Sequence, residues 1–231
     1  MKEVELGKLY IVATPIGNLE DITLRAIRIL KEVDMILCED TRTTKVLLNK
    51  YGISTKTMSY HAYSTGARES TIIEMLREGK NLALVSDAGT PTISDPGVLL
   101  VSNVRKEFGD DVYVVPIPGP SALISALCAS GVSSAEFTFL GFLPHKKGRE
   151  TLFKEIASSK RVIVFYESTH RIMKTLESLI EHSPTFKIVI GRELTKQFEE
   201  FVFGTPKKVL EYFETNKEKQ RGEFVVIVEP K

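Results

Sequence analysis

The stretch Leu82-Ala83-Leu84-Val85-Ser86-Asp87-Ala88-Gly89-Thr90-Pro91-Thr92-Ile93-Ser94-Asp95-Pro96-Gly97 decides the fold class. Its first four residues are an apolar run of strand type. The next twelve hold two Asp, two Gly, two Pro and the hydroxyls of Ser86, Thr90, Thr92 and Ser94. A plain turn needs about four residues of this kind. In open α/β sheets the loops that follow strands are where ligands sit. A long loop of small, acidic and hydroxyl residues directly after a strand therefore reads as a ligand-binding edge of such a sheet.

Outward from this loop, short apolar runs recur at Leu9–Ala13, Met35–Cys38, Val112–Val115, Phe137–Leu140, Val162–Tyr166, Lys187–Ile190 and Phe224–Val228. Helical patterns lie between most of them. Ile22 to Leu30 follow Asp21 as an N-cap, Ile72 to Leu76 precede a stop at Gly79, and Thr205-Pro206 open a helix with cap and first-turn proline. Strands alternating with helices give an α/β class. The seam is Val115-Pro116-Ile117-Pro118-Gly119-Pro120, before the helical run Ser121–Ala129. Its prolines remove donors and restrict their predecessors, so no helix or strand is expected to pass through. The expected division is into domains 1–117 and 118–231.

The chain has 231 residues, 42% of them hydrophobic, enough for one large core or two smaller ones. A net charge of +1 does not announce a nucleic-acid binder. The segment 119–231 contains no Asp and carries +3, against −2 for 1–118. Cys38 and Cys128, both in apolar contexts, read as buried thiols in a reducing compartment. Met1 is followed by charged residues, and no run reaches the ~18 apolar residues of a membrane span, so a cytoplasmic protein is expected.

Other segments carry chemistry less sharply. Ala13-Thr14-Pro15-Ile16-Gly17-Asn18 joins a strand to a helix with residues small enough for close backbone approach, but lacks the lysine of a P-loop. Pro118-Gly119-Pro120-Ser121-Ala122 sits at the seam, and clefts between domains favour ligands. Gly141-Phe142-Leu143-Pro144, Phe165–Arg171 and Arg192–Lys196 mark the second half. His61, His145, His170 and His182 are scattered and neither Cys has a partner at ligand spacing, so no metal is expected. His145-Lys146-Lys147-Gly148-Arg149 is a compact basic loop, and Arg42, Lys45 and Lys50 form a stripe after Asp40.

Taken in order, Thr14–Asn18 with Asp21-Ile22, Glu39-Asp40-Thr41-Arg42, His61, Ser86–Gly97, Pro118–Ala122, Gly141–Pro144, Phe165–Arg171 and Arg192–Lys196 resemble the bacterial ribosomal RNA small-subunit methyltransferase I family, of the tetrapyrrole-methylase (class III) fold. Thr169 departs from the pattern, which has Pro there. The resemblance implies two α/β domains with S-adenosylmethionine in the cleft between them, a homodimer, and the 2′-hydroxyl of a cytidine in small-subunit ribosomal RNA as acceptor. It implies cofactor contacts from Pro15, Gly89, Thr90, Ile93, Ser94, Ser121 and Ala122, and from Phe165, Tyr166, Leu194, Glu223 and Phe224 on the adenine side. A ribose hydroxyl must lose its proton, and Asp40, Asp87, Asp95 and His61 are the candidate acceptors. Arg42, Lys146, Lys147, Arg149 and Arg171 are the candidate RNA contacts. Two other readings stay open: a class III methyltransferase acting on a tetrapyrrole or a protein side chain, and a non-catalytic RNA-binding module.

Overall fold

A computed structural model describes residues 5–61 and 66–230. Residues 1–4, which carry part of the reading of the N-terminus, lie outside it. The chain forms two compact units, one ending at Ser121 and one beginning at Ala122.

The first unit is an open parallel sheet of β1 (Leu9–Val12), β2 (Met35–Cys38), β3 (Thr57–Ser59), β4 (Leu82–Val85) and β5 (Val114–Ile117), in the order β3-β2-β4-β1-β5. Its helices are α1 (Leu24–Glu32), α2 (Thr41–Lys50), α3 (Gly66–Arg77) and α4 (Val98–Phe108). Side chains alternate across a strand, so β4 feeds two cores. Ala83 and Val85 join Ala26, Ile29 and Leu30 of α1 and Leu47 and Leu48 of α2. Leu82 and Leu84 join Ile72, Met75 and Leu76 of α3 and Leu100 and Val104 of α4. The spacings i, i+3, i+4 in α1 and α3 are the apolar stripes that make these segments helices.

This topology places the ligand edge. The chain leaves β1 through α1 on one face, toward β2, and leaves adjacent β4 through α4 on the other face, toward β5. The β1 and β4 loops therefore diverge at a switch point at the carboxyl end of the sheet, where such folds bind ligands.

The second unit is a mixed sheet of β6 (Phe137–Phe142), β7 (Val162–Ser168), β8 (Lys187–Arg192), β9 (Glu200–Gly204) and β10 (Glu223–Glu229), ordered β6-β7-β10-β8-β9. Only β6 and β7 pair in parallel. One face is covered by α6 (Arg149–Ser158), α7 (Ile172–His182) and α8 (Pro206–Thr215), with Phe153, Phe165, Phe213 and Phe224 at the centre of the core. Helix α5 (Ala122–Ser130) approaches β7, β8 and β10. Thr205 caps α8, its hydroxyl accepting from the Lys208 N–H, and Pro206 is its first residue.

Several expectations need correction. Thr23, not Asp21, caps α1, and Asp21 ends a preceding 3-10 turn (Leu19–Asp21). The sequence reading did not include the edge strands β3 and β9. Strand β5 runs through Pro116, where no strand was expected. Leu9 and Ala13 of the β1 segment donate to the carbonyls of Tyr113 and Ile117, so by alternation Pro116 faces outward and no ladder bond is lost. Cys38 is buried, but Cys128 is exposed.

Gly97 links the loop to α4 at φ 123°, and an added Cβ would stand 2.6 Å from Leu84 Cδ2. Gly97→Ala is expected to destabilise the protein by about 1–3 kcal/mol, from backbone strain and overpacking together. An unchanged urea midpoint would show that β4 and the loop yield freely.

Candidate active site

Three loops at the carboxyl edge of the first sheet are tied together. The N–H and carbonyl of Thr14 exchange hydrogen bonds with those of Gly89 at 2.9 and 3.0 Å, joining the β1 and β4 loops. The Thr14 hydroxyl donates to Ser86 O at 3.2 Å, and the Thr90 hydroxyl donates to Pro120 O at 3.1 Å. The loop after β2 joins them where the Asp40 N–H donates to Asp87 Oδ1 at 3.1 Å. Of the residues implied to hold cofactor, Pro15 and Gly89 are buried beneath this surface, Thr90 and Ser121 are half-buried, and Ile93 and Ser94 are exposed. Thr92 and Ser94 hold φ of 75° and 62°, a region non-glycine residues rarely occupy and one that clusters at functional loops.

The edge is acidic. Glu39, Asp40, Asp87 and Asp95 are near enough to perturb one another, and their environments separate their roles. Asp40 caps α2, accepting from the Arg42 N–H at 2.8 Å, and its carboxylate pairs with the Arg42 guanidinium at 2.7 Å. The hydrogen bonds from the Arg42 side chain and backbone hold it at about 2, which makes it a poor proton acceptor near neutrality. Asp95 is pushed up to about 6, first by burial and then by the charge of Glu39, with a Ser86 hydrogen bond opposing. Burial likewise raises Glu39, helped by Asp87, while His61 pulls it down. Exposed His61 therefore stands within electrostatic reach of Glu39. Glu39 is a member the sequence reading did not single out. Its signal was an acidic residue directly after an apolar strand. Burial also raises the Cys38 thiol, making it a weak nucleophile at neutral pH.

In the second unit the implied adenine-side residues divide. The rings of Phe165 and Phe224 are in the helix-covered core, so they offer a ligand only backbone. Leu194 is also buried. Tyr166 is half-buried, and its hydroxyl accepts from the Leu123 N–H at 3.2 Å. Exposed Glu223 receives Lys196 Nζ at 2.9 Å, and its own N–H donates to Glu193 Oε1 at 2.9 Å. Glu193 and Thr195 here also hold positive φ, 47° and 65°.

Two RNA-contact assignments need revision. Arg149 and Arg171 are committed to Glu167, a fully buried carboxylate inside β7. Arg171 Nε lies 2.8 Å from Glu167 Oε1, and the Thr175 hydroxyl donates to Oε2 at 2.7 Å. Arg149 donates to Thr175 Oγ1 at 2.7 Å and stacks over Phe153. The two guanidiniums also donate to the carbonyls of Pro144 and Leu143, fixing the start of the basic loop. Lys146 and Lys147 remain exposed on that loop, and Arg42 is exposed beside Asp40. The signal for Glu167 was a lone acid in an apolar strand with an arginine four residues on. Removing one partner of a buried pair strands the others' charge. Glu167→Ala is therefore expected to cost about 3–5 kcal/mol in denaturant unfolding, and a loss under about 1 kcal/mol would reduce the network to an ordinary surface pair.

Among the described residues no group of three or more His, Cys, Asp or Glu is placed to hold a metal ion, and no helix is long and apolar enough to cross a membrane. Residues 8–210 match the family model for tetrapyrrole (corrin/porphyrin) methylases. The chain is 47% identical over 226 residues to the ribosomal RNA small subunit methyltransferase I of Thermotoga maritima, covering 98% of this chain and 100% of that one. It is 47% identical to the protein of the same name in Bacillus subtilis, over 97% of this chain and 76% of that one. Among solved structures, a diphthine synthase superposes with a TM-score of 0.75 at 14% identity, covering 97% of this chain and 90% of that one, a likeness of fold alone. A strand-end acidic loop cluster on this fold, with near-full-length relatives at this identity, places the chain in the tetrapyrrole methylase family, among the ribosomal RNA small subunit methyltransferase I proteins.

Proposed function

We infer that this methyltransferase draws on S-adenosylmethionine and modifies small-subunit ribosomal RNA, with a cytidine 2′-hydroxyl as acceptor and a cytoplasmic homodimer as the working form. The observation that carries the reading is the near-full-length identity to relatives of that name. A tetrapyrrole acceptor has the broad family model and low-identity likeness of fold behind it, and a protein acceptor the likeness of fold alone; neither chooses substrate as near-full-length identity does.

The residues at the sheet edge fit such a cofactor. Bound S-adenosylmethionine supplies a sulfonium methyl group for in-line displacement. Glu39 and Asp87 give the edge a negative field that complements a sulfonium. Left-handed backbone at Thr92 and Ser94 keeps the segment out of helix and strand, leaving peptide groups of Thr90–Ser94 for the methionine end. Ser121, Ala122 and Tyr166 complete the contacts we assign, with Leu194 and Glu223 on the adenine side.

For the acceptor, alignment is the main requirement. Asp95 would accept the proton of the ribose hydroxyl and release it to solvent, while the bound cofactor would supply the methyl group. Asp95 suits this role because burial raises its proton affinity to about 6, whereas Asp40 is tied to Arg42. Lys146 and Lys147 hold phosphates, with Arg42 as a further cation; Arg149 and Arg171 hold their loop.

Asp95→Asn should lower kcat by ten-fold or more while leaving cofactor affinity within about two-fold. The wild-type rate should rise through about pH 6 and level off above it, and the variant should lose that inflection. A carboxylate raised on folding favours the folded state most at low pH, and that contribution is lost as pH rises through its folded value. The variant's stability relative to wild type should therefore improve between pH 4 and pH 7. An unchanged kcat would remove Asp95 from the chemistry.

Lys146→Ala with Lys147→Ala should weaken RNA binding and reduce the slope of log affinity against log salt by about 1.5, with cofactor binding intact. Nucleoside digestion of the product and mass spectrometry should find the methyl group on the sugar, and Cys38→Ala and Cys128→Ala, where folded, should stay active. A base-borne methyl group would overturn the acceptor assignment.

A further inference from the structure

We propose that Phe142 is a stacking platform for an unpaired base of the RNA substrate, a role that rests on the RNA reading above. The segment Gly141–Pro144 otherwise has no function in the site. Strand β6 starts in regular register with β7, Phe139 opposite Val164, but Phe142 stands opposite Tyr166. Three residues of β6 thus span two of β7, a bulge, with Gly141 at φ 62°.

The bulge changes where Phe142 points. Leu140 packs on the helix-covered core, and strict alternation would send residue 142 to the same side. The inserted residue instead turns it to the opposite face, beside Tyr166 at 5.4 Å between ring centroids. Tyr166 is in turn 5.0 Å from Phe139. Two partly buried rings therefore back a third, Phe142, which is 56% exposed. A residue needed only for packing would have been buried by the regular register.

The surroundings specify the occupant. Tyr166 meets the N–H of Leu123, directly after the cofactor residues Ser121 and Ala122 that we assign. On the other side, Phe142 leads into Leu143 and Pro144, whose carbonyls are held by Arg171 and Arg149, and then into exposed Lys146 and Lys147. An aromatic face joined by a short segment to the lysines we assign to phosphate is an arrangement suited to single-stranded nucleic acid, since single-stranded RNA is read by stacking of splayed bases.

The chain contains no tryptophan, so Phe142→Trp creates a sole indole emitter at this position. Titration with unmodified small-subunit RNA should quench its emission, with RNA affinity kept near wild type. Phe142→Ala should weaken RNA affinity by about 5- to 150-fold. Its salt slope should match wild type, because no phosphate contact is lost, and so should its cofactor affinity. For Phe142→Ala, RNA affinity within two-fold of wild type or a parallel fall in cofactor affinity would overturn the proposal, as would Phe142→Trp emission indifferent to saturating RNA. Wild-type protein that neither binds nor methylates this RNA would instead overturn the substrate reading itself, whatever the variants do.

Discussion

Strand Leu82–Val85 is buried on both faces, and the ligand edge of the first unit depends on that constraint. A strand sealed above and below has only its ends free. Its parallel neighbours deliver their carboxyl ends to the same edge, so the loops after β1, β2 and β4 meet there. The hydrogen bonds that join Thr14 to Gly89 and Asp40 to Asp87 are possible because the sheet has already set the spacing. Once those loops converge, their carboxylates cannot stay independent. The rise of Asp95 and Glu39 follows from burial and mutual repulsion at one edge.

The second unit solves a different problem with the same means. Glu167 brings a charge into a strand whose neighbours are apolar, and two arginines and a threonine answer it. The arrangement spends two cations that a charge count would assign to RNA. It returns them as rigidity, since each guanidinium also grips a carbonyl of the segment leading to Lys146 and Lys147. Net charge on this unit therefore overstates the positive surface open to phosphate.

Much of this was legible in the sequence, and the limits have physical reasons. The strand-loop unit Leu82–Gly97 was readable because an apolar run and a loop far longer than a turn are both local signals. The α/β class followed from alternation. Strand β3 escaped because it spans three residues, two of them hydroxylic, and β5 was expected to stop before Pro116 because the cost of a proline depends on which way its nitrogen faces. The choice among Asp40, Asp87 and Asp95 was open for a similar reason. A carboxylate's proton affinity is set by partners such as Arg42 and Glu39 in three dimensions, not by residue type. Arg149 and Arg171 looked like surface cations because their shared partner lies 18 and 4 residues away on another element.

Pro116 has a consequence for how copies of this protein meet. An exposed edge strand offers a row of unpaired amide donors on which a second sheet can grow. On β5 the outward positions are Val114 and Pro116, and the proline has no amide hydrogen to give. The outer margin of the strand thus presents a single donor, too few to seed a continuous ladder. Sheet-to-sheet growth is therefore disfavoured along this margin.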